Sequence, residues 1–266
     1  MNEKEVERIV SNIKSIRIQG ATNIAKAALK AYSLSPTILT IKKLENSRPT
    51  EPLLFNVLKL IKKSRIEDII NHLKKTQESI NKNLLKIIDQ NSKIFTHCHS
   101  TTVVNALIYA KNQKRNFQVF NTETRPLFQG RKTARELSSS GIKVTMFIDS
   151  AAEQAIKKSD FLLFGADAIL ENGDVINKIG SSMFAKIAFL YKKPVYIVAD
   201  SWKFSEKNIE IEQRTSQEIW KNVPKNVKIQ NPSFDIINRK FISSIISELG
   251  ILSPNNFTKK AKNEIP

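Results

Sequence analysis

The period of the hydrophobic pattern changes near residue 92, and that change restricts the folds open to this chain. From Glu3 to about Asn91 apolar residues recur every three and four positions, as in VERIVSNIKSI, ATNIAKAALKAYSL and INKNLLKIIDQ. That spacing belongs to amphipathic helices packed by one face. The stretch SRPTEP, residues 47–52, carries two prolines and marks a loop between helices. From Lys93 onward short apolar runs alternate with helical ones: KIFTHC then TTVVNALIYAKNQ, FQVFNTE then RKTARELSSSG, KVTMFID then AAEQAIKKS, DFLLFGADAI then SSMFAKIAFLYKK, and finally KPVYIVAD. Five strands separated by helices specify right-handed crossovers and a parallel sheet covered on both faces. Gly141, Asp160 and Pro194 punctuate the segments. The expected fold is therefore α/β: an N-terminal helical domain over 1–91, a Rossmann-like parallel-sheet domain over 92–253, and a frayed polar tail over 254–266.

A hydrophobic fraction of 41% in 266 residues is sufficient for a real core. The chain opens with the charged MNEKEVERIV and contains no apolar run approaching the roughly 18 residues of a membrane-spanning helix, so an intracellular, cytoplasmic location without membrane contact is expected. Its single cysteine, Cys98, cannot form an internal disulfide and is a free thiol. The 43 Lys and Arg against 25 Asp and Glu give a formal charge of +18, which implies attraction to an anion such as nucleic acid, a phosphorylated metabolite or an acidic partner. Most lysines, however, fall in amphipathic patterns such as LKLIKKSRIEDIINHLKK, where they solvate helix faces. Basic and aromatic residues are not interleaved along one strand and one cysteine precludes a zinc finger, so nucleic acid is not the expected partner.

In an open parallel sheet ligands bind at the carboxyl ends of the strands. Those ends collect His97, Cys98, His99 and Ser100; Glu123, Thr124 and Arg125; Asp149 and Ser150; Gly165, Ala166 and Asp167; Asp200 and Ser201. Cys98 can be a small buried hydrophobe, or a thiol whose pKa is lowered by the positive end of the following helix. His97 and His99 make a poor metal site, because the third histidine, His72, lies in the helical half and strand spacing turns alternate side chains opposite ways. They fit hydrogen-bonding wall or core positions. Asp167, inside FLLFGADAIL, must be partnered or kept protonated by desolvation. A protonated carboxyl beside an activated thiol supplies the acid and base that aldose–ketose interconversion requires. In ENGDVINKIGSS, Asn177, Lys178 and the turn Gly180-Ser181-Ser182 could hold an anion through backbone N–H groups.

The ordered set THCHS, TETRPLFQGRKTARELSSSGI, DSAA, GADAILENGDVINKIGSS, PVYIVADSWKF and NPSFD, spanning about Ile18 to Leu249, resembles the superfamily that joins the alpha, beta and delta subunits of translation initiation factor 2B with ribose-1,5-bisphosphate and methylthioribose-1-phosphate isomerases. The resemblance implies a helical domain followed by a Rossmann-like one, and assembly through the latter into a homodimer or hexamer. In the isomerases a cysteine in a THC-like motif and an aspartate in a GAD-like motif are catalytic, which points to Cys98 and Asp167. The eukaryotic alpha subunit lacks that cysteine and has glutamate at the acidic position. By the same resemblance Gly20, Ala21, Arg48, Arg125, Gln129, Asn177 and Lys178 surround the sugar and its phosphate, with no metal or cofactor. Three positions depart from the isomerase pattern: Gln19 replaces an arginine unless Arg17 substitutes for it, His99 replaces an asparagine, and NPSFD continues Ile236-Ile237-Asn238 without threonine and proline.

The expected activity is a sugar-phosphate isomerase taking ribose 1,5-bisphosphate or a close analogue. The alternative is a non-catalytic regulatory protein resembling the alpha subunit of initiation factor 2B, with a translation initiation factor as partner. Binding to nucleic acid through charge alone would fall steeply with salt. The expected result of a filter-binding titration at two salt concentrations is that neither DNA nor RNA is retained.

Overall fold

The computed structural model of the chain describes residues 2–264. Five helices come first: α1 (Asn2–Lys14), α2 (Ala21–Leu34), α3 (Ile38–Glu45), α4 (Pro52–Leu60) and α5 (Ile66–Leu85). The apolar stripes pack inward as their spacing requires, with Val6, Ile9 and Ile13 of α1 against Ile24, Ala25, Ala28 and Leu29 of α2. The alanines let the two axes approach closely. Thr37 caps α3 by accepting the Thr40 N–H at 3.1 Å, and Pro52 opens α4 in the first turn, where its missing N–H costs nothing. The long α5 ties the layers together: Ile69 and Leu73 belong to the helical core, Ile80 and Leu84 to the core under the sheet.

The second part comprises β1 (Ser92–Thr96), α6 (Thr101–Asn112), β2 (Phe117–Thr122), α7 (Gln129–Ser139), β3 (Lys143–Phe147), α8 (Ala152–Lys158), β4 (Phe161–Phe164), β5 (Ala168–Leu170), β6 (Val175–Lys178), α9 (Ser181–Leu190), β7 (Val195–Val198), β8 (Phe204–Ser205), β9 (Phe234–Ile237), β10 (Ser244–Ser247), β11 (Gly250–Leu252) and α10 (Pro254–Glu264). The main sheet has the order β11-β10-β7-β4-β1-β2-β3, parallel throughout except for the antiparallel edge strand β11. Its strands alternate between two cores: Ile94 and Leu163 face α5, α6 and α7, whereas Phe95 and Phe164 face α8, α9 and α10.

Three expectations are corrected. The sheet gains β10 and β11 beyond the five anticipated strands. The run DFLLFGADAI is not one strand: the chain leaves the main sheet at Gly165, and β5 joins a second sheet of order β8-β5-β6-β9. The polar tail is not frayed, because α10 buries Phe257 and Ala261 completely.

Strand order reverses between β1 and β4, where Thr96 pairs with both Asn121 of β2 and Leu163 of β4. The loops leaving β1 and β4 touch there, and a Cβ at Gly165 would stand 2.5 Å from Ser100 Oγ. Gly165→Ala is expected to cost about 1–3 kcal/mol through overpacking. Because Ser100 contributes the clash, adding Ser100→Gly should restore most of the loss in a urea-denaturation double-mutant cycle.

Candidate active site

The helices that follow the strands on either side of the switch point pack on opposite faces of the sheet, leaving a crevice above the ends of β1 and β4. His97, first after β1, is buried with its Nε2 2.9 Å from the Ile179 carbonyl and its Nδ1 2.5 Å from Thr122 Oγ1. A carbonyl only accepts, so Nε2 carries the hydrogen and Nδ1 accepts from the threonine. Burial lowers its pKa to about 4, and the ring is a neutral strut rather than a base. Cys98 follows with φ +67°, a left-handed conformation that costs a non-glycine residue about 1 kcal/mol. Two threonines hold it there: the Cys98 N–H donates to Thr124 Oγ1 at 3.0 Å, and Thr133 Oγ1 donates to the Cys98 carbonyl at 2.8 Å. His99 Nδ1 lies 3.1 Å from that same Thr133 oxygen; with the hydroxyl hydrogen committed to Cys98, the histidine donates. Burial lowers the pKa of His99 to about 4 as well.

The turn at Cys98 places it in a cavity with Asp167, Asn177 and Lys178. Asp167 is pinned by its own N–H, which donates to Ile176 of β6 at 2.9 Å, so the strand carrying Asn177 and Lys178 is fixed to the loop carrying the acid. Gly20, Ala21, Arg48 and Gln129 line the same cavity. Arg125 does not: it is exposed and stacks over Phe128, with its guanidinium carbon 5.0 Å from the ring centroid. Arg17 is likewise exposed and outside the lining, although its neighbours Ile16 and Ile18 belong to it.

The electrostatics correct the expectation of an activated thiol. Burial pushes Cys98 up to about 11, opposed chiefly by Lys178. The helix dipole does not reverse this, because Cys98 precedes the Ser100 cap of α6 and the dipole's influence fades within a turn. Asp167 is raised by burial as expected, against the pull of Lys203, Arg48 and Lys178.

The anion-binding turn before α9 is also corrected. The carboxylate of Asp235 on β9 accepts the N–H groups of Gly180 at 2.9 Å and Ser182 at 3.1 Å, so this helix terminus is already occupied. Two other helix N-termini open on the cavity instead. Gly20, with φ +84°, starts α2 without any side-chain cap, and Gly20, Ala21 and Thr22 line the cavity. Ser100, Thr101 and Thr102 at the start of α6 line it too; the Ser100 hydroxyl caps the Val103 N–H at 3.4 Å, and the N–H groups of Thr101 and Thr102 ahead of it have no intrahelical partner. Uncapped first-turn N–H groups at the positive end of a helix bind phosphate or carboxylate.

Several cavity residues escaped the sequence. Lys203, buried, donates through Nζ to the Ala166 carbonyl at 2.6 Å. It lies three residues past Asp200, and extending the carboxyl-end rule through DSWKF would have reached it. Glu51 follows the SRPT loop and is buried in the lining. Arg214, Glu218, Asn231 and Ser233 arrive on an irregular segment that has no periodicity to read. Arg48 Nη1 stands 3.1 Å from Glu212 Oε2, but the alignment leaves its buried Nε and Nη1 without hydrogen bonds. Among the described residues no group of three or more His, Cys, Asp or Glu side chains is placed to hold a metal ion, and no helix is long and apolar enough to cross a membrane.

Comparison with known proteins agrees with this geometry. Over its residues 14–254 the chain matches the model of the initiation factor 2 subunit family. It is 35% identical to the ribose 1,5-bisphosphate isomerase of Methanocaldococcus jannaschii, across 96% of this chain and 94% of that protein. It is 33% identical to the methylthioribose-1-phosphate isomerase of Thermoanaerobacter sp. strain X514, across 91% and 86%. Among solved structures, the translation initiation factor eIF-2B of Pyrococcus horikoshii OT3 superposes with a TM-score of 0.85 at 27% identity, covering 94% of this chain and 98% of that one. A Rossmann-ordered sheet, a helical N-terminal layer and a cysteine–aspartate pair across the switch point thus coincide with a match over nearly the whole chain, which belongs to the initiation factor 2 subunit family.

Proposed function

We propose that this protein is an aldose–ketose isomerase of sugar phosphates, converting ribose 1,5-bisphosphate or a close analogue to ribulose 1,5-bisphosphate. The observation that carries the reading is that the N-termini of α2 and α6 open on the cavity shared by Cys98 and Asp167. Two backbone anion cradles flanking an acid–base pair suit a sugar with a phosphate at each end, and the named activities of the related isomerases supply the substrate.

The chemistry requires four proton movements. An acid protonates the ring oxygen O4 as the C1–O4 bond breaks, and a base removes the C2 proton, leaving a C1=C2 enol. The enol hydroxyl at C2 then gives up its proton to the spent acid while C1 receives one from the spent base, so both groups return to their starting states. Cys98 is assigned as the base and Asp167 as the acid. In the free cavity Cys98 is a thiol, so the site reacts from the state in which Asp167 is ionised and takes up the thiol proton, an exchange that leaves the net charge of the site unchanged. Lys178 favours the thiolate so formed. Lys178, Lys203 and Asn177, which line the cavity, are assigned to stabilise charge developing on the sugar oxygens, and Arg48 to act as an anion partner. Arg125 is reserved to the outer rim.

The same reading includes a homo-oligomer. Met183, Phe189 and Leu190 on α9 are exposed, and Leu190 retains 75% of its surface. Apolar exposure on one helix marks an interaction surface. Leu190→Asp is expected to lower the mass measured by light scattering without lowering the melting temperature of the monomer.

The activity is tested by proton NMR of ribose 1,5-bisphosphate in deuterated buffer. Ribulose 1,5-bisphosphate carrying deuterium at C1 is expected, with a loss of at least about a hundredfold in Cys98→Ser and in Asp167→Asn. Turnover without deuterium would mean either hydride transfer from C2 to C1 or return of the same shielded proton by Cys98, and full activity in Cys98→Ser would remove the base role of the thiol. No turnover, with the substrate still raising the melting temperature, would mean a sugar-phosphate sensor of the regulatory kind.

A further inference from the structure

Glu51 has no assigned task in the reaction above, and its surroundings are those of a working group. It occupies the N-cap position of α4, where its backbone carbonyl accepts from Leu54 at 3.1 Å and Phe55 at 3.4 Å. Its carboxyl makes no cap hydrogen bond. The side chain is instead turned in: the residue is 2% exposed, its Oε1 has no hydrogen-bond partner, and it lines the cavity with Cys98 and Asp167. A buried, unpartnered carboxyl oxygen is rare in a folded protein.

Three charged groups face it: Asp167 from the loop after β4, Lys203 from the segment after β7, and Arg48 from its own loop. Glu51 also lines a second cavity of about 560 Å³ between α4 and residues 204–210, which Lys59 lines from α4 and Glu206, Lys207 and Glu210 from the facing segment. Two carboxyls, Glu51 and Asp167, thus stand in one desolvated space where phosphate groups are to bind. Both cannot be ionised there beside an incoming anion without strong repulsion.

We infer that Glu51 makes ligand binding at this site proton-coupled: the cavity takes up its anionic ligand together with one proton held on the Glu51–Asp167 carboxyl pair, and Glu51 donates a hydrogen bond to the bound anion. The direction of its titration agrees, since burial first and then the charge of Asp167 push Glu51 up to about 8, against the opposing pull of Lys203 and Arg48. Below that pH the carboxyl is a neutral donor; above it, an additional negative charge inside an anion site. This inference rests on the sugar-phosphate reading of the cavity and names Glu51 as a residue that sets affinity, leaving the proton transfers to Cys98 and Asp167.

The test uses inorganic sulfate, whose charge is constant across the pH range, titrated calorimetrically into the full chain between roughly pH 7 and 9.5, with KM for ribose 1,5-bisphosphate measured in parallel. Wild-type sulfate affinity is expected to weaken above about pH 8, approaching about tenfold per pH unit, with kcat following a separate profile. Glu51→Gln, which keeps the shape and removes the proton, is expected to hold a level affinity over the same range, and Glu51→Asp to keep the pH dependence with a displaced midpoint. A wild-type affinity that stays level, or a Glu51→Gln curve parallel to the wild type, would overturn the inference, and the wild-type curve decides even if a variant fails to fold. An inactive protein whose sulfate affinity depends on Glu51 would sink the isomerase reading alone. An active one with level sulfate affinity and level KM would sink this inference alone, and a protein with neither sulfate binding nor turnover would sink both.

Discussion

The site depends on the pairing of β1 with β4. These strands are neighbours in space although two strands and three helices separate them in sequence, and their parallel register brings Thr96 beside Leu163. Aromatic packing on one face fixes the pairing: Phe95 of β1 meets the edges of Phe164 of β4 and Phe184 of α9, with ring centroids 6.2 and 5.6 Å away. His97 continues the stack against Phe184 at 4.9 Å, so the residue before Cys98 is held by the same ring that anchors α9. A left-handed cysteine survives in this position because the surrounding structure over-determines it. The strain is local, and the rigid sheet below supports it.

The same burial that fixes the site also sets its charge states. Desolvation is the first cause of the upward displacement at Cys98, Asp167 and Glu51 and of the downward displacement at His97 and His99. Every one of these groups is therefore driven toward its neutral form, as expected where water is excluded. At the thiol and the two carboxyls Lys178, Lys203 and Arg48 provide the opposing field, and Lys203 is held in place by the Ala166 carbonyl, next to the acid it influences. The overall charge of +18 has little bearing on this balance, since most of the lysines lie on solvated helix faces. What matters is three buried cations within reach of the reacting groups.

Much of this was readable in the sequence because it depends on local pattern. Period and punctuation located the first three strands of the domain and the helices between them, and the carboxyl-end rule brought Cys98 and Asp167 to one rim. The failures share a physical cause: they concern partners distant in sequence. Asp235 caps α9 from a strand more than fifty residues downstream, so an apparently vacant Gly-Ser-Ser turn was already filled. Glu51 and Lys203 meet Asp167 only because the helical layer packs across the sheet domain, as shown by Trp202, which is buried among the N-terminal helices and stacks on His72 at 3.9 Å. The tail was read as frayed because Phe257 and Ala261 are two apolar residues among eleven, enough to dock a helix on an existing core but too few to form a periodic signal. Arg125 had the right motif, but the backbone around it, tied to Asp149 through the N–H groups of Thr124 and Arg125 at 2.8 and 2.6 Å, leaves its side chain outside.

The three departures from the isomerase pattern can be weighed by the work each residue does in the fold. His99 donates to Thr133, whose hydroxyl holds the Cys98 carbonyl, so it supports the cysteine turn and adds no charge to the reacting groups. In the Ile236-Ile237-Asn238 segment, Ile237 is wholly buried and Asn238 accepts the Lys240 N–H at 3.1 Å, both structural tasks remote from Cys98. Gln19 and His99 both line the cavity, and of the two Gln19 is the one that changes its charge. Yet the anion cradle beside it is made of backbone N–H groups at the start of α2, and a backbone donor does not depend on the side chain before it. Replacing arginine by glutamine there removes one charge and leaves the helix terminus unchanged, while Arg48, buried beside Glu212 with its Nε and Nη1 free of hydrogen bonds, lines the same space. The positions that diverge are thus those whose loss the scaffold can absorb, and the groups proposed to carry and support the proton transfers, Cys98, Asp167 and Lys178, are all in place.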